Sequence, residues 1–446
     1  MTHAWMPRRL SRAGRVAIAA ASTLTLITLA GCGGGSVSGN SQDSGGGGKT
    51  DVLVWTQTTG DTAKALKGIV ESYNGSQSKY TVQTQYGGTS DQFTPKLINA
   101  VTNDQGPNLV LGDSTPQKLS QVIQTGKVVP LDDRLDAAGA KITKKNFSAG
   151  MLSTGTFDGK IYSLPTEGGD YALYYNKEMF AKAGISAPPT TWAEVAADAA
   201  KLTSGKQYGI YLPIGPGEWP VFTWQSALWS AGGEFLSADN KKIAFNSPEG
   251  VAALTAWTDI IKAGHAYPSS LATPADGQGT AGFSSGKVAM ILTGAYNQKL
   301  LDDGVGKENV GVTAFPTIKE KAMNIGTNNS YVLQGTAEEQ DGAWDFLNYF
   351  LSPDVQAKWD VASGYLPTNM ETANSPAFKA FVAQDPRLQV LVDQLAYAKA
   401  RPSVLAYDEV SAALSTEIEK ALLGKTTPAQ ALADAAVKGQ AALDKQ

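Results

Sequence analysis

Between residues 51 and 111, short apolar runs alternate with segments of helical apolar spacing, and few folds satisfy that order. Residues 51–56 (DVLVWT) predict a first buried strand. From 62 to 73, Ala65, Leu66, Ile69, Val70 and Tyr73 recur at the helical period. Tyr80, Val82, Thr84 and Tyr86 alternate with polar residues, the period of a strand. Helix signals cover 90–102, and Leu109-Val110-Leu111 behind Gly106-Pro107 predicts another short buried strand. A β-α-β-α-β succession joins neighbouring strands through crossover helices, so the expected class is α/β with parallel pairing. Farther along, 171–175 (YALYY) and 288–292 (VAMIL) predict strands. Thr191-Trp192-Ala193-Glu194 has capping-box spacing and opens a helix to about 202. Ser247-Pro248 and Ser352-Pro353 each set an N-cap residue before proline, opening helices over 249–263 and 354–363. The last 40 residues or so are helical, with a break at Gly424.

The N-terminus carries an address. Arg8, Arg9, Arg12 and Arg15 precede an apolar stretch from Val16 to Gly31, and no acid occurs in the first 31 residues. That stretch is shorter than the roughly 20 residues of a membrane-spanning helix and reads as a secretory signal, of Sec rather than twin-arginine type. It ends in Leu29-Ala30-Gly31-Cys32, which resembles the lipobox of bacterial lipoproteins. Cys32 is the single cysteine, so no intramolecular disulfide can form. A Gly/Ser tether runs on to Gly48. The expectation is an exported protein, lipidated on Cys32 and held on the outer face of the cell membrane.

Of 37 Lys and Arg, four lie in the signal, so 33 face 41 Asp and Glu in the mature chain. That balance, with no basic run, argues against nucleic acid or an anionic membrane surface as partner. Roughly 400 residues remain after the tether, enough for two lobes with separate cores.

Several strings, in order, resemble the extracellular solute-binding proteins of ABC importers, in the cluster of maltose-binding and glycerol-3-phosphate-binding proteins. They are VVPLDD (128–133), FDGKIYSLP (157–165), YYNKEMF (174–180) and PTTWAE (189–194), then FNSPE (245–249), FSSGKVAM (283–290) and SGYLPT (363–368). The resemblance implies a two-lobed periplasmic-binding-protein fold of type II-like topology, with a ligand cleft between lobes at a hinge. The expected division is a signal over 1–31, lipidated cysteine and tether over 32–50, a first lobe over 51–160 plus about 285–327, and a second over 161–284 plus 328–446. It implies a monomer that binds a sugar or oligosaccharide and hands it to permease subunits, or alternatively glycerol-3-phosphate or a related phosphorylated polyol.

The resemblance also implies site residues. A sugar site needs polar groups for hydroxyls and aromatic faces for C–H surfaces. Gln57 and Thr58 follow the first strand in a ligand-contacting loop. Asp91 falls where the glycerol-3-phosphate binders place an acidic contact, although a carboxylate favoured by the helix dipole fits equally well. Asp113 and Ser114 correspond to another contacting loop. In Glu167-Gly168-Gly169-Asp170 the position aligned with an acidic contact is glycine, leaving open which of Glu167 and Asp170 faces the cleft. The string EWPVFTW (218–224) resembles an aromatic ligand-binding segment; Glu218 and Trp219 are expected in the cleft, Trp224 and Trp229 in the core. Tyr296 stands where the cluster has a stacking tryptophan. Asn329 belongs to a polar loop near the hinge, Tyr365 to the GYLP turn, and Arg401 and Tyr407 match late-chain residues that reach the ligand. Trp192, Trp257, Trp344 and Trp359 lie at helical spacing and are expected in the core.

Catalytic alternatives fare poorly. Gly282-Phe283-Ser284-Ser285-Gly286 matches G-x-S-x-G, but a strand follows it where a nucleophile elbow needs a helix. The mature chain's one histidine, His265, precedes Ser284 and reads as part of a helix C-cap behind Gly264. A glycosidase built on paired carboxylates is the distant alternative. No P-loop, dinucleotide fingerprint or His/Cys cluster occurs, so neither cofactor nor metal is expected.

Overall fold

Three parallel strands realise the opening alternation. The computed structural model describes residues 48–215, 217–271 and 275–445, and the signal, Cys32 and most of the tether lie outside the described residues. β1 (Thr50–Thr56) pairs in parallel with β2 (Tyr80–Tyr86) and β3 (Leu109–Ser114), the crossovers being helices Gly60–Ser76 and Ser90–Thr102. A small antiparallel pair, β4 (Thr156–Phe157) and β5 (Lys160–Ile161), precedes β6 (Leu164–Gly169). The chain then builds a second sheet from β7 (Ala172–Asn176), β8 (Tyr208–Tyr211), β9 (Val288–Thr293) and β10 (Val310–Thr313), in the order β10-β7-β9-β8. It returns through β11 (Met323–Val332), which pairs antiparallel with both β3 and β6. β12 (Ala398–Ala400) closes that edge of the first sheet, parallel to β11.

The inner strands β3, β7 and β9 are buried on both faces, which is why they read as apolar runs, whereas the edge strand β2 is largely exposed and alternates. In β3, Leu109 and Leu111 enter one core with Val52, Val54 and Phe346, while Val110 faces Trp55, Phe93 and Tyr331. In β7, Leu173 joins Trp224, Trp257 and Met290, while Ala172 and Tyr174 face Phe283 and Val288. Two lobes with separate cores result. β11 belongs to both: Met323 and Ile325 pack in the second lobe, Tyr331 and Val332 in the first. β6 and β11 are therefore two paired connections between lobes.

The lobe boundaries expected from the sequence need correcting. The segment 285–327 was expected in the first lobe, yet β9 and β10 pair with β7 and β8 of the second. Helices Ala337–Phe350 and Pro353–Ser363, expected in the second lobe, put Phe346, Phe350 and Trp359 into the first-lobe core. An apolar strand or helix face does not encode which sheet it covers; tertiary pairing decides.

Local signals were more reliable. Thr191 Oγ1 accepts from the Glu194 amide at 3.2 Å, and the Glu194 carboxylate accepts from the amides of Thr190 and Thr191, at 2.7 and 3.1 Å. The helix Trp192–Leu202 thereby starts where the capping box put it. Thr191→Ala is expected to cost roughly 1 kcal/mol, measured as the shift in a chemical denaturation midpoint at unchanged slope. Ser247 caps the next such helix through the Gly250 amide, whereas the Ser352 hydroxyl instead donates to the Tyr349 carbonyl. At Gly264 (φ +78°) the helix Pro248–Lys262 ends with the His265 amide reaching back to Ile260, a left-handed cap. Among the described residues no helix is long and apolar enough to cross a membrane.

Candidate functional site

Where β6 and β11 cross between the lobes, Gly169 and Gly326 are paired partners. A Cβ on Gly326 would lie 3.5 Å from the Phe222 ring, and one on Gly169 would lie 3.9 Å from Tyr365. Both are ordinary contact distances, so the Phe222 and Tyr365 rings pack directly over the hinge backbone. The cavity formed there is about 540 Å³.

Five rings meet in succession along it. Tyr171, just ahead of β7, meets Trp219 edge-on at 5.0 Å and Phe222 at 4.7 Å between centroids. Trp219 and Phe222 lie nearly parallel, 11° apart at 6.4 Å. On the other side Tyr296 donates from its hydroxyl to that of Tyr171 at 3.3 Å, and its ring lies 6.2 Å from Tyr365. Trp219 and Phe222 come from the first turn of helix Glu218–Ser230, whose N-cap Gly217 has φ +102°, a conformation that favours glycine. Pro220 sits in that first turn, where its missing N–H costs no helical bond.

The polar groups are already organised. Glu218 accepts from Arg401 Nη1 at 3.1 Å and from the Tyr407 hydroxyl at 2.8 Å, and it also binds the Ser411 hydroxyl. Arg401 is 6% exposed, and its guanidinium lies 4.7 Å from the Phe222 centroid, a cation–π contact. Its Nε is buried without a hydrogen-bond partner. Asn328 donates from Nδ2 both to Glu167 at 2.7 Å and to the Tyr365 hydroxyl at 3.1 Å. Burial, and next the Glu167 charge, hold the Tyr365 phenol above its ordinary pKa. It stays protonated and able to donate. Among the described residues lining the cavity, Glu218 and Arg401 are the charged ones, and they are paired with each other.

Of the residues anticipated from the sequence, Glu218, Trp219, Tyr296, Tyr365 and Arg401 line this cavity. Glu167 is buried one layer beneath, held by Asn328 and by the Trp359 indole at 3.0 Å. Asp170 is also buried; its carboxylate accepts from Gln394, which braces Tyr171 as well. Tyr407 is buried behind Glu218. Asn329 is corrected: it is 0% exposed, sits inside β11 rather than in a loop, and donates to Ser163 and Thr154. Its neighbour Asn328, on the opposite face of the strand, lines the cavity in its place. Gln57 and Thr58 follow β1 on the first lobe and do not line the cavity. The side chains of Asp91, Asp113 and Ser114 lie outside the described residues.

Sequence reasoning missed Tyr171, Phe222, Thr327, Asn328 and Thr115 as lining residues. Tyr171 stood inside a string read as a strand, and Phe222 inside the aromatic string without a role of its own. Thr115 follows β3, so the carboxyl end of that strand reaches the cavity, the position where open α/β sheets bind ligands. Ser284 ends the helix Asp276–Ser284, and its hydroxyl donates to the Leu300 carbonyl at 3.2 Å. Its surroundings are those of a helix stop rather than a nucleophile elbow.

A sequence profile described as bacterial extracellular solute-binding protein matches residues 68–389. A putative binding protein of Brucella abortus (strain 2308) is 29% identical over 354 residues, which are 78% of this chain and 84% of the relative. The sn-glycerol-3-phosphate-binding periplasmic protein UgpB of Rhizobium meliloti (strain 1021) is 25% identical over 419 residues, 88% of this chain and 94% of that one. The solved structure of a cyclic alpha-maltosyl-1,6-maltose binding protein from Arthrobacter globiformis matches with a TM-score of 0.80 at 31% identity, covering 90% of this chain and 100% of that chain. With its profile spanning most of the two lobes, the chain belongs to the bacterial extracellular solute-binding proteins.

Proposed function

We propose that this protein is the substrate-binding component of an ABC importer that captures an uncharged sugar or oligosaccharide in the interlobe cleft and delivers it to the permease without chemical change. The observation that carries this reading is the run of five aromatic rings bordered by a self-neutralised Glu218–Arg401 pair. Rings offer C–H faces a surface to stack on, and Asn328, Glu218 and the Tyr365 phenol offer partners to hydroxyls. The sugar named for the Arthrobacter globiformis neighbour agrees with this chemistry. Closure about β6 and β11 would bring the first lobe onto the bound sugar. Its proposed contacts are Gln57, Thr58, Asp91, Asp113 and Ser114 at the strand ends, joined by Tyr86, whose ring is 48% exposed at the end of β2. Lipidation of Cys32 after removal of the signal would keep the receptor at the membrane, raising its effective concentration near the permease.

A phosphorylated polyol is the second reading, favoured by the relatives named for sn-glycerol-3-phosphate and by Arg401 in the cavity. It is disfavoured because that guanidinium is already matched by Glu218. Isothermal titration of the full-length chain separates the two. The preferred glucose oligomer is expected to bind with a Kd on the order of 1 μM, about −8 kcal/mol, and sn-glycerol-3-phosphate roughly 100-fold more weakly. The reverse order would establish the second reading, and release of free glucose from a bound oligomer would overturn both.

A further inference from the structure

Tyr171 and Tyr296 stand on neighbouring strand ends. Tyr171 directly precedes β7, Tyr296 lies three residues beyond β9, and Ala172 is paired with Thr293 between them. Tyr171 is the node of the aromatic run, in contact with Trp219, Phe222 and Tyr296. A shift of its ring would disturb three others. The fit is close. A Cβ on Gly294 would lie 2.5 Å from the Tyr296 ring and 2.8 Å from the Asp170 carbonyl, so only glycine can stand between them.

One helix behind the cavity, Arg387–Gln394, reaches both strand ends with a polar side chain at each terminus, and none of its residues is among those lining the cavity. Gln394, its last residue, is 0% exposed and commits its whole amide. Its Nε2 donates to the Asp170 carboxylate at 3.0 Å and to the Tyr171 carbonyl at 3.1 Å, while its Oε1 accepts from the Phe315 amide at 2.7 Å. At the other terminus Arg387 grips both Asp302 oxygens, at 2.6 and 2.8 Å, and donates from Nε to Asp385 at 2.8 Å. Asp385 also accepts from Gln298 at 3.0 Å, and Gln298 accepts from the Tyr174 hydroxyl at 3.3 Å. Gln298 and Asp302 belong to the helix Gln298–Val305, which begins two residues beyond Tyr296. Leu388 and Leu391 between the two termini pack into the core. Apolar packing of that kind is non-directional and fixes no orientation. A fully committed amide and a two-pronged guanidinium do fix it.

We infer that Gln394 and Arg387 are positioning residues for the ligand site: Gln394 sets the ring of Tyr171, and Arg387 sets the turn that bears Tyr296. The consequence for affinity rests on the carbohydrate reading above. Titration of the full-length chain with maltotetraose in double-mutant cycles provides the test. Gln394→Met nearly keeps the volume and removes all three bonds. It is expected to weaken binding about tenfold on its own, and less than twofold on top of Tyr171→Ala, where no ring is left to place. Arg387→Met should behave the same way against Tyr296→Ala, and it carries the test if the buried substitution at 394 prevents folding. Near-ultraviolet circular dichroism of the unliganded proteins should follow the same pattern, because coupling between rings depends on their mutual orientation. Equal losses in both backgrounds, or unchanged affinity and spectrum in the folded single variants, would overturn the positioning role and leave the carbohydrate reading standing. Failure of the wild type to bind glucose oligomers would overturn the carbohydrate reading, and the spectroscopic cycle would still decide the positioning role.

Discussion

Trp219→Ala is expected to weaken sugar binding roughly 30- to 100-fold, about 2–3 kcal/mol, the range for truncating a central aromatic anchor. The indole sits at the centre of the ring run, edge-on to Tyr171 and nearly parallel to Phe222. It is only partly buried, so much of its surface is available to a ligand instead of being spent on the core. Truncation removes the stacking face and leaves Tyr171 without its edge contact, but Pro220, Val221 and Trp224 of the same helix remain buried. The thermal midpoint should therefore move little while affinity collapses. Trp219→Phe, which keeps a ring, should recover most of the loss. Titration of the three proteins with the same oligosaccharide decides the matter: unchanged affinity in Trp219→Ala would remove the aromatic cavity as the ligand site.

How much of this was legible in the sequence depended on the range of the interaction. The capping box at Thr191 and Glu194 is complete within four residues, and the helix began there. The alternation through β1 to β3 is likewise local and predicted a parallel layer. Sheet membership of β9 and β10 was not local: their apolar runs would serve either lobe, and pairing with β7 settled it. The site divides the same way. Glu218 and Trp219 were found because a short string carries both, whereas Asn328 was passed over for Asn329. In an extended strand adjacent side chains face opposite sides, so a one-residue misjudgement exchanged the cavity-lining amide for one fully buried against Ser163 and Thr154. Glu167 and Asp170 both proved to be supports one layer down, a distinction set by packing from Trp359 and Gln394.

That supporting layer contains a carboxyl no sequence signal marked. Asp360, in the helix Pro353–Ser363, is 0% exposed and neither of its carboxyl oxygens has a hydrogen-bond partner. Burial first, and then the nearby Glu167 charge, push its pKa well above the ordinary carboxylate value. The folded protein thus favours the protonated acid, while the unfolded chain ionises near pH 4. Below that pH both states hold the proton and Asp360 costs nothing in ionisation. As pH rises, the unfolded state gains by releasing the proton, and stability falls until the folded pKa is passed. Asp360→Asn removes the ionisation at nearly constant volume. It is expected to stabilise the protein at pH 7, where the unfolded wild type gains by releasing the proton and the unfolded variant cannot, and to add little at pH 4. Paired thermal melts of wild type and variant at the two pH values give the comparison. A variant less stable at neutral pH, or one equally stabilised at both, would refute the charge argument. Sugar affinity should not change, because Glu167 keeps its bonds to Trp359 and Asn328 and still positions the Tyr365 hydroxyl; Glu167→Leu, which breaks both bonds, should weaken binding even where the protein stays folded.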